Sequence, residues 1–141
     1  LRNIVINAVL HPDYEEYKFQ MFLSFIDEFT EWHIRLLEYF SDPKAAVKKY
    51  NSSFDLSKQF HCLTMAPFYS IYPAMNNSKS YQYLKIIVND LNSKELLFCK
   101  ADVFNQSYMY NGIYKTGHPY KKYTTDFGNE FLKFITDYKE K

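Results

Sequence analysis

The side chains best placed to do chemistry together lie between Ser78 and Asn92. Lys79, Gln82 and Asn89 recur at spacings of three and seven, and Lys85 stands beside them. On a helix these residues share one outward side. A Gln or Asn carboxamide offers the donor and acceptor pair that matches the adenine edge in the major groove, and a Lys ammonium holds phosphate or guanine. Ile86 falls in the middle of that row. An apolar residue there implies a partner surface: a thymine methyl, a second subunit or the N-terminal helices of this chain. Lys115, Lys121 and Lys122 lie in a stretch, 105–125, that contains no acidic residue, which reads as a further set of phosphate contacts. The plain alternative for both groups is a solvated surface.

Other chemistries find little support. His61 and Cys62 are the one adjacent pair resembling a base and a nucleophile, but neighbours on a helix point about 100° apart and cannot hydrogen-bond as catalysis requires. His11, His33, His61 and His118 have no ligand spacing, so no metal is expected. His33 reads as a satisfied boundary histidine. Asp27, Glu28 and Glu31 cluster at the junction of two helices, where solvated or dipole-complementing groups are the simplest account. With only three glycines, no phosphate-cradling loop can be built. Tyr110, Tyr114, Tyr120 and Tyr123 could stack on bases, but read more simply as strand residues. The expectation is therefore a non-enzyme with no cofactor and no metal.

Charge is unevenly spread despite a net of +1. Residues 1–42 hold three basic and eight acidic residues, whereas residues 43–85 hold six lysines against Asp55 alone. Positive charge thus collects on the middle of the chain and on 105–125, the places expected to meet phosphate. The two cysteines, Cys62 and Cys99, lack the number and spacing of a disulfide framework and suit a reducing cytoplasm. Arg2 precedes a short apolar run that Asn7 interrupts and His11-Pro12-Asp13 ends, so a signal peptide is not expected. No run is long enough to span a bilayer. The opening residues read like a helix already under way, which suggests a piece of a longer protein.

The elements that must position these residues are mostly helices. The first is expected from Pro12 or Asp13 to Phe29, with Tyr14, Tyr17, Met21, Phe25 and Phe29 at helical spacing and Phe22, Leu23 and Ile26 widening the stripe, so that it buries more than one side. Thr30 caps a second helix with Trp32, Leu36, Leu37 and Phe40 inward, and Asp42-Pro43 starts a short basic third. Short helical pieces are expected over 56–63 and 67–72. In the helix from Ser78 to Asn92, Tyr81, Leu84, Ile87, Val88 and Leu91 face inward. A strand pattern follows at Leu96–Cys99, then an Asn111-Gly112 hairpin, a second strand at Tyr120–Thr124, and a last helix opened by Thr125 that buries Phe127, Phe131, Phe134 and Tyr138. Gly128 is read as a site of close approach.

The order helix, strand, wing, strand, helix is that of a winged helix-turn-helix. The blocks Trp32–Pro43, Ile87–Leu91 with Leu96-Leu97, and Thr125–Ile135 resemble the C-terminal part of a set of uncharacterised bacterial proteins, and are similar in order to winged-helix regulators. The sequence departs from that pattern at Asn92-Ser93-Lys94-Glu95, where a glycine is usual, and in its long tyrosine-rich wing. The resemblance implies a mainly α fold with a small antiparallel β-hairpin sheet, comprising a helical lead-in over 1–29 and a winged-helix-like domain over 30–141. The resemblance carries no activity; residue chemistry and charge distribution are what lead to the expectation of a cytoplasmic regulatory module binding duplex DNA through Lys79, Gln82, Lys85, Asn89, Lys115, Lys121 and Lys122. The alternative is a non-catalytic interaction or dimerisation module, joined to a second copy or to the rest of a longer chain through Ile86.

Overall fold

The computed structural model describes residues 14–55, 65–101, 103–105 and 119–139. Within them run six α-helices: α1 (Tyr14–Glu28), α2 (Glu31–Ser41), α3 (Pro43–Tyr50), α4 (Ala66–Ile71), α5 (Ser78–Ser93) and α6 (Asp126–Lys139). Two 3-10 turns, Pro73–Met75 and Val103–Asn105, complete the order. The chain is mainly α-helical, and among the described residues no helix is long and apolar enough to cross a membrane. The expected helical piece over 56–63 and the Asn111-Gly112 hairpin lie outside the described residues.

The helix boundaries follow local chemistry. Thr30 stands at the N-cap of α2, and Asp42 caps α3 by accepting from the Ala45 N–H at 3.2 Å, with Pro43 in the first turn, where its missing N–H costs nothing. Asn77 caps α5 through the Ser80 N–H at 3.0 Å, and the Thr125 hydroxyl accepts from the Gly128 N–H at 2.9 Å to open α6. The Asp42, Asn77 and Thr125 side chains each satisfy one of the donors that a helix start leaves without an intrahelical partner.

The centre of the molecule is α2, which packs on α3, α5 and α6. Leu36, Leu37 and Phe40 are fully buried against Leu84, Val88 and Leu91 of α5 and Phe131 of α6 within one core. Aromatic rings fill it in two groups. Phe22 of α1 lies 5.2 Å from both Phe127 and Phe131, while Phe68 packs on Tyr39, Tyr72 and Phe104. Such pairs contribute about 0.5–1.5 kcal/mol each beyond the area they bury.

Helix α1 differs from the expected two-sided burial. Phe22 and Phe25 are buried, but Phe19, Met21 and Tyr14 are exposed, because the described elements cover one flank only. Tyr138 on α6 is likewise exposed, and Ile135 takes the inward position instead.

Among the described residues the predicted small sheet is not built. Among the described residues the pairing of 96–99 with 120–124 reduces to a single antiparallel bridge, Leu97 with Thr124. Its flanking bonds are Phe98 N–H to the Tyr123 carbonyl at 2.8 Å and Thr125 N–H to the Leu96 carbonyl at 3.1 Å. The ladder stops because its other donors are used elsewhere: the Tyr123 N–H, which would face the Phe98 carbonyl, goes to the Phe40 carbonyl at the end of α2, and the Leu96 N–H goes to the Leu91 carbonyl. On the opposite edge the Asn92 carboxamide takes both the N–H and the carbonyl of Cys99.

The turn leaving α5 lacks the usual glycine and keeps its geometry. Glu95 has φ of +61°, the Leu96 N–H reaches the Leu91 carbonyl at 3.1 Å, and the Glu95 N–H reaches that of Asn92 at 3.1 Å. That double bond is a Schellman ending, in which the left-handed residue is ordinarily Gly. The Leu96 carbonyl so presented faces Gly128, where an added Cβ would stand 2.2 Å from that oxygen and 2.6 Å from the Thr124 methyl.

Two substitutions therefore act in opposite directions. Gly128→Ala forces backbone apart and is expected to cost about 1–3 kcal/mol or more, read as a lower urea midpoint. Glu95→Gly relieves a left-handed conformation but loosens the unfolded chain, for a net gain of up to about 1 kcal/mol. An unchanged midpoint for Gly128→Ala contradicts the close approach.

Candidate functional site

Helix α5 separates its faces cleanly. Leu84, Ile87, Val88 and Leu91 are buried, whereas Lys79, Gln82, Lys85 and Asn89 are all exposed. Ile86 in the same row is 66% exposed, so no described element covers it; of the three partner surfaces its position implies, α1 does not supply one. Tyr83 borders the row and is also exposed.

Lys121 and Lys122 are exposed on the segment leading to α6. The Lys121 ammonium lies 5.2 Å from the centre of the Tyr123 ring. It shares a surface cleft with Asn92 and Glu95 at the C-terminal end of α5, and a second hollow with Lys44 and Tyr120. The structure thus brings Lys121 to the end of α5 rather than to the Lys79 end. Lys115 lies outside the described residues.

The ion pairs show which charges are engaged. Lys18 bridges Glu15 at 3.0 Å and Glu130 at 3.4 Å, Arg35 pairs with Glu31, and Lys94 bridges Asp90 at 2.6 Å and Glu28 at 3.5 Å. Among the described residues, none of these pairs engages Lys79, Lys85, Lys121 or Lys122.

Sequence reasoning treated His33 as bland and did not find its partner. His33 is 8% exposed, stacked on Phe29 at 4.7 Å, and its Nε2 lies 2.8 Å from the Asp90 carboxylate. Its Nδ1 accepts the Thr30 backbone N–H at 3.0 Å. A backbone N–H can only donate, so Nδ1 is bare and Nε2 carries the proton that goes to Asp90. His33 thereby fills the role that Glu or Gln plays three residues after a Thr cap. The Thr30 and His33 spacing was the available signal. Burial pushes the Asp90 carboxyl up, but hydrogen bonds from Lys94 and His33 outweigh it and hold the group below its ordinary value of 3.8. The Thr30 hydroxyl also lies 2.9 Å from Nδ1, so Thr30 meets one ring nitrogen and Asp90 the other, and the His33–Asp90 bond ties α2 to α5.

Among the described residues no group of three or more His, Cys, Asp or Glu is gathered to hold a metal. Comparison with known protein families, with curated proteins and with solved structures finds no match to this chain.

The lowered Asp90 value fixes a pH dependence. Its stabilising contribution is complete above the ordinary carboxylate value and is lost as pH falls through the lowered one. Urea unfolding followed from neutral pH into acid should show Asp90→Asn less stable than the parent near neutrality, with a shallower acid limb. Parallel curves for the two proteins contradict this linkage.

Proposed function

We propose that the chain is a non-catalytic, winged-helix-like module that binds duplex DNA, laying the outer row of α5 in the major groove. The observation that carries this reading is the bare row itself. Lys79, Gln82, Lys85 and Asn89 are exposed together around an exposed Ile86, and neither lysine is engaged by a carboxylate of the described residues. The acidic helix α1 packs its rings on α6, and its Glu28 reaches Lys94 rather than the outer row. In this reading Gln82 and Asn89 meet base edges, Ile86 meets a thymine methyl, and Lys79 and Lys85 hold phosphate. Lys121, Lys122 and Lys115 add phosphate contacts from the segment before α6.

One observation favours a second reading. Ile86 at 66% exposure and Phe98 at 80% leave apolar surface bare, as a dimerisation or interaction module would.

A mobility-shift titration with sedimentation on the same sample separates the two. DNA binding should weaken steeply with salt, and Lys79→Ala and Lys85→Ala should each flatten the log–log slope by about one unit. Gln82→Ala or Asn89→Ala should cost roughly 1–3 kcal/mol against a preferred sequence and little against random duplex. Absence of any shift at low salt, together with a dimer that Ile86→Asp dissociates, favours the interaction module.

A further inference from the structure

A cleft of about 540 Å³ opens between the end of α5 and the segment before α6. That size is ordinary for a small-molecule site. Buried Leu97 and Val103 and half-buried Tyr123 back the cleft. Phe98 stands at the same cleft with 80% of its surface exposed, a large ring that no described residue covers. Lys100 and Lys121 also line it, both exposed, and no ion pair of the described residues engages either. Glu95 supplies the one carboxylate among the described lining residues. The Asn92 carboxamide lines the cleft but is occupied by the Cys99 backbone.

We propose that this cleft binds a flat apolar anion, such as an aromatic carboxylate. The ring would lie against Phe98 and Tyr123, and the carboxylate would sit between Lys100 and Lys121. Two exposed lysines at one cleft favour an anion over a neutral molecule. The exposed Phe98 ring supplies apolar area that a wholly polar ligand cannot use. The cleft spans the Leu97–Thr124 bridge that joins α5 to the start of α6, so an occupant would touch both sides of that junction. Lys121 is shared with the proposed DNA contacts, but ligand binding is measured without DNA, so failure of either reading is visible separately.

The test uses 2-naphthoate as probe and its neutral counterpart 2-naphthalenemethanol, titrated calorimetrically into the whole chain. Naphthoate is expected to bind with a Kd on the order of 0.1–1 mM, as ligands of that size do, and the alcohol at least about tenfold more weakly. The double variant Lys100→Gln with Lys121→Gln, made at exposed positions to spare the fold, should reduce naphthoate binding to the level of the alcohol and leave the alcohol unchanged. The exposed Phe98 reports location: Phe98→Ala should weaken naphthoate binding at least about threefold. Equal affinity for acid and alcohol, an unaffected double variant, or a Phe98→Ala variant that binds naphthoate as the parent does would each overturn the assignment.

Discussion

The fold turns on the Leu96 carbonyl. It is aimed by the Schellman ending of α5, accepts the Thr125 N–H at 3.1 Å, and lies so close to Gly128 that no side chain fits between. Around it the Thr125 hydroxyl donates to the Glu95 carbonyl at 2.6 Å and the Thr124 hydroxyl to the Leu37 carbonyl at 2.9 Å. Two N–H groups also reach the Phe40 carbonyl. The end of α5, the start of α6 and the last turn of α2 are thereby joined by backbone, which has no rotamer freedom with which to adapt. With its C-terminal end held there and its Asp90 held by buried His33, α5 has little choice but to present Lys79, Gln82, Lys85, Ile86 and Asn89 outward.

Charge placement follows from the same packing. The acid-rich N-terminal segment contributes α1, whose carboxylates meet Lys18 and Lys94 at its two ends. Lys94 is held beside Asp90 at the foot of α5, so attraction between the acidic and basic parts of the chain is satisfied there and not along the outer row. A surface that keeps unengaged cations beside an exposed apolar residue is suited to a partner that is both anionic and locally apolar. A duplex major groove with its thymine methyls has that character.

Much of this was legible because it is local. Asp42 with Pro43, and Thr125, mark helix starts through carboxylate or hydroxyl groups that satisfy nearby N–H donors, Thr30 marks the start of α2, and the inner row of α5 follows from spacing alone. Gly128 signalled close approach. The strand pattern at Leu96–Cys99 misled because pairing is decided by partners, and here the Tyr123 N–H that would continue the ladder to Phe98 is taken by the Phe40 carbonyl. The face of α1 was misread because its stripe of aromatic residues is wider than the flank α6 offers. The exposed row could be read from period, whereas the cleft at Phe98 could not. It exists only where Lys100 and Lys121, far apart in sequence, come to one wall.

The reading of α5 is tested by backbone amide shifts of the labelled chain, followed by NMR while a duplex oligonucleotide is added at low salt. Perturbations are expected to concentrate at Lys79, Gln82, Lys85, Ile86 and Asn89 and to extend to Lys121 and Lys122, with the outer side of α1 unmoved. Perturbations on α1 with a silent α5, or a spectrum indifferent to DNA, would contradict it.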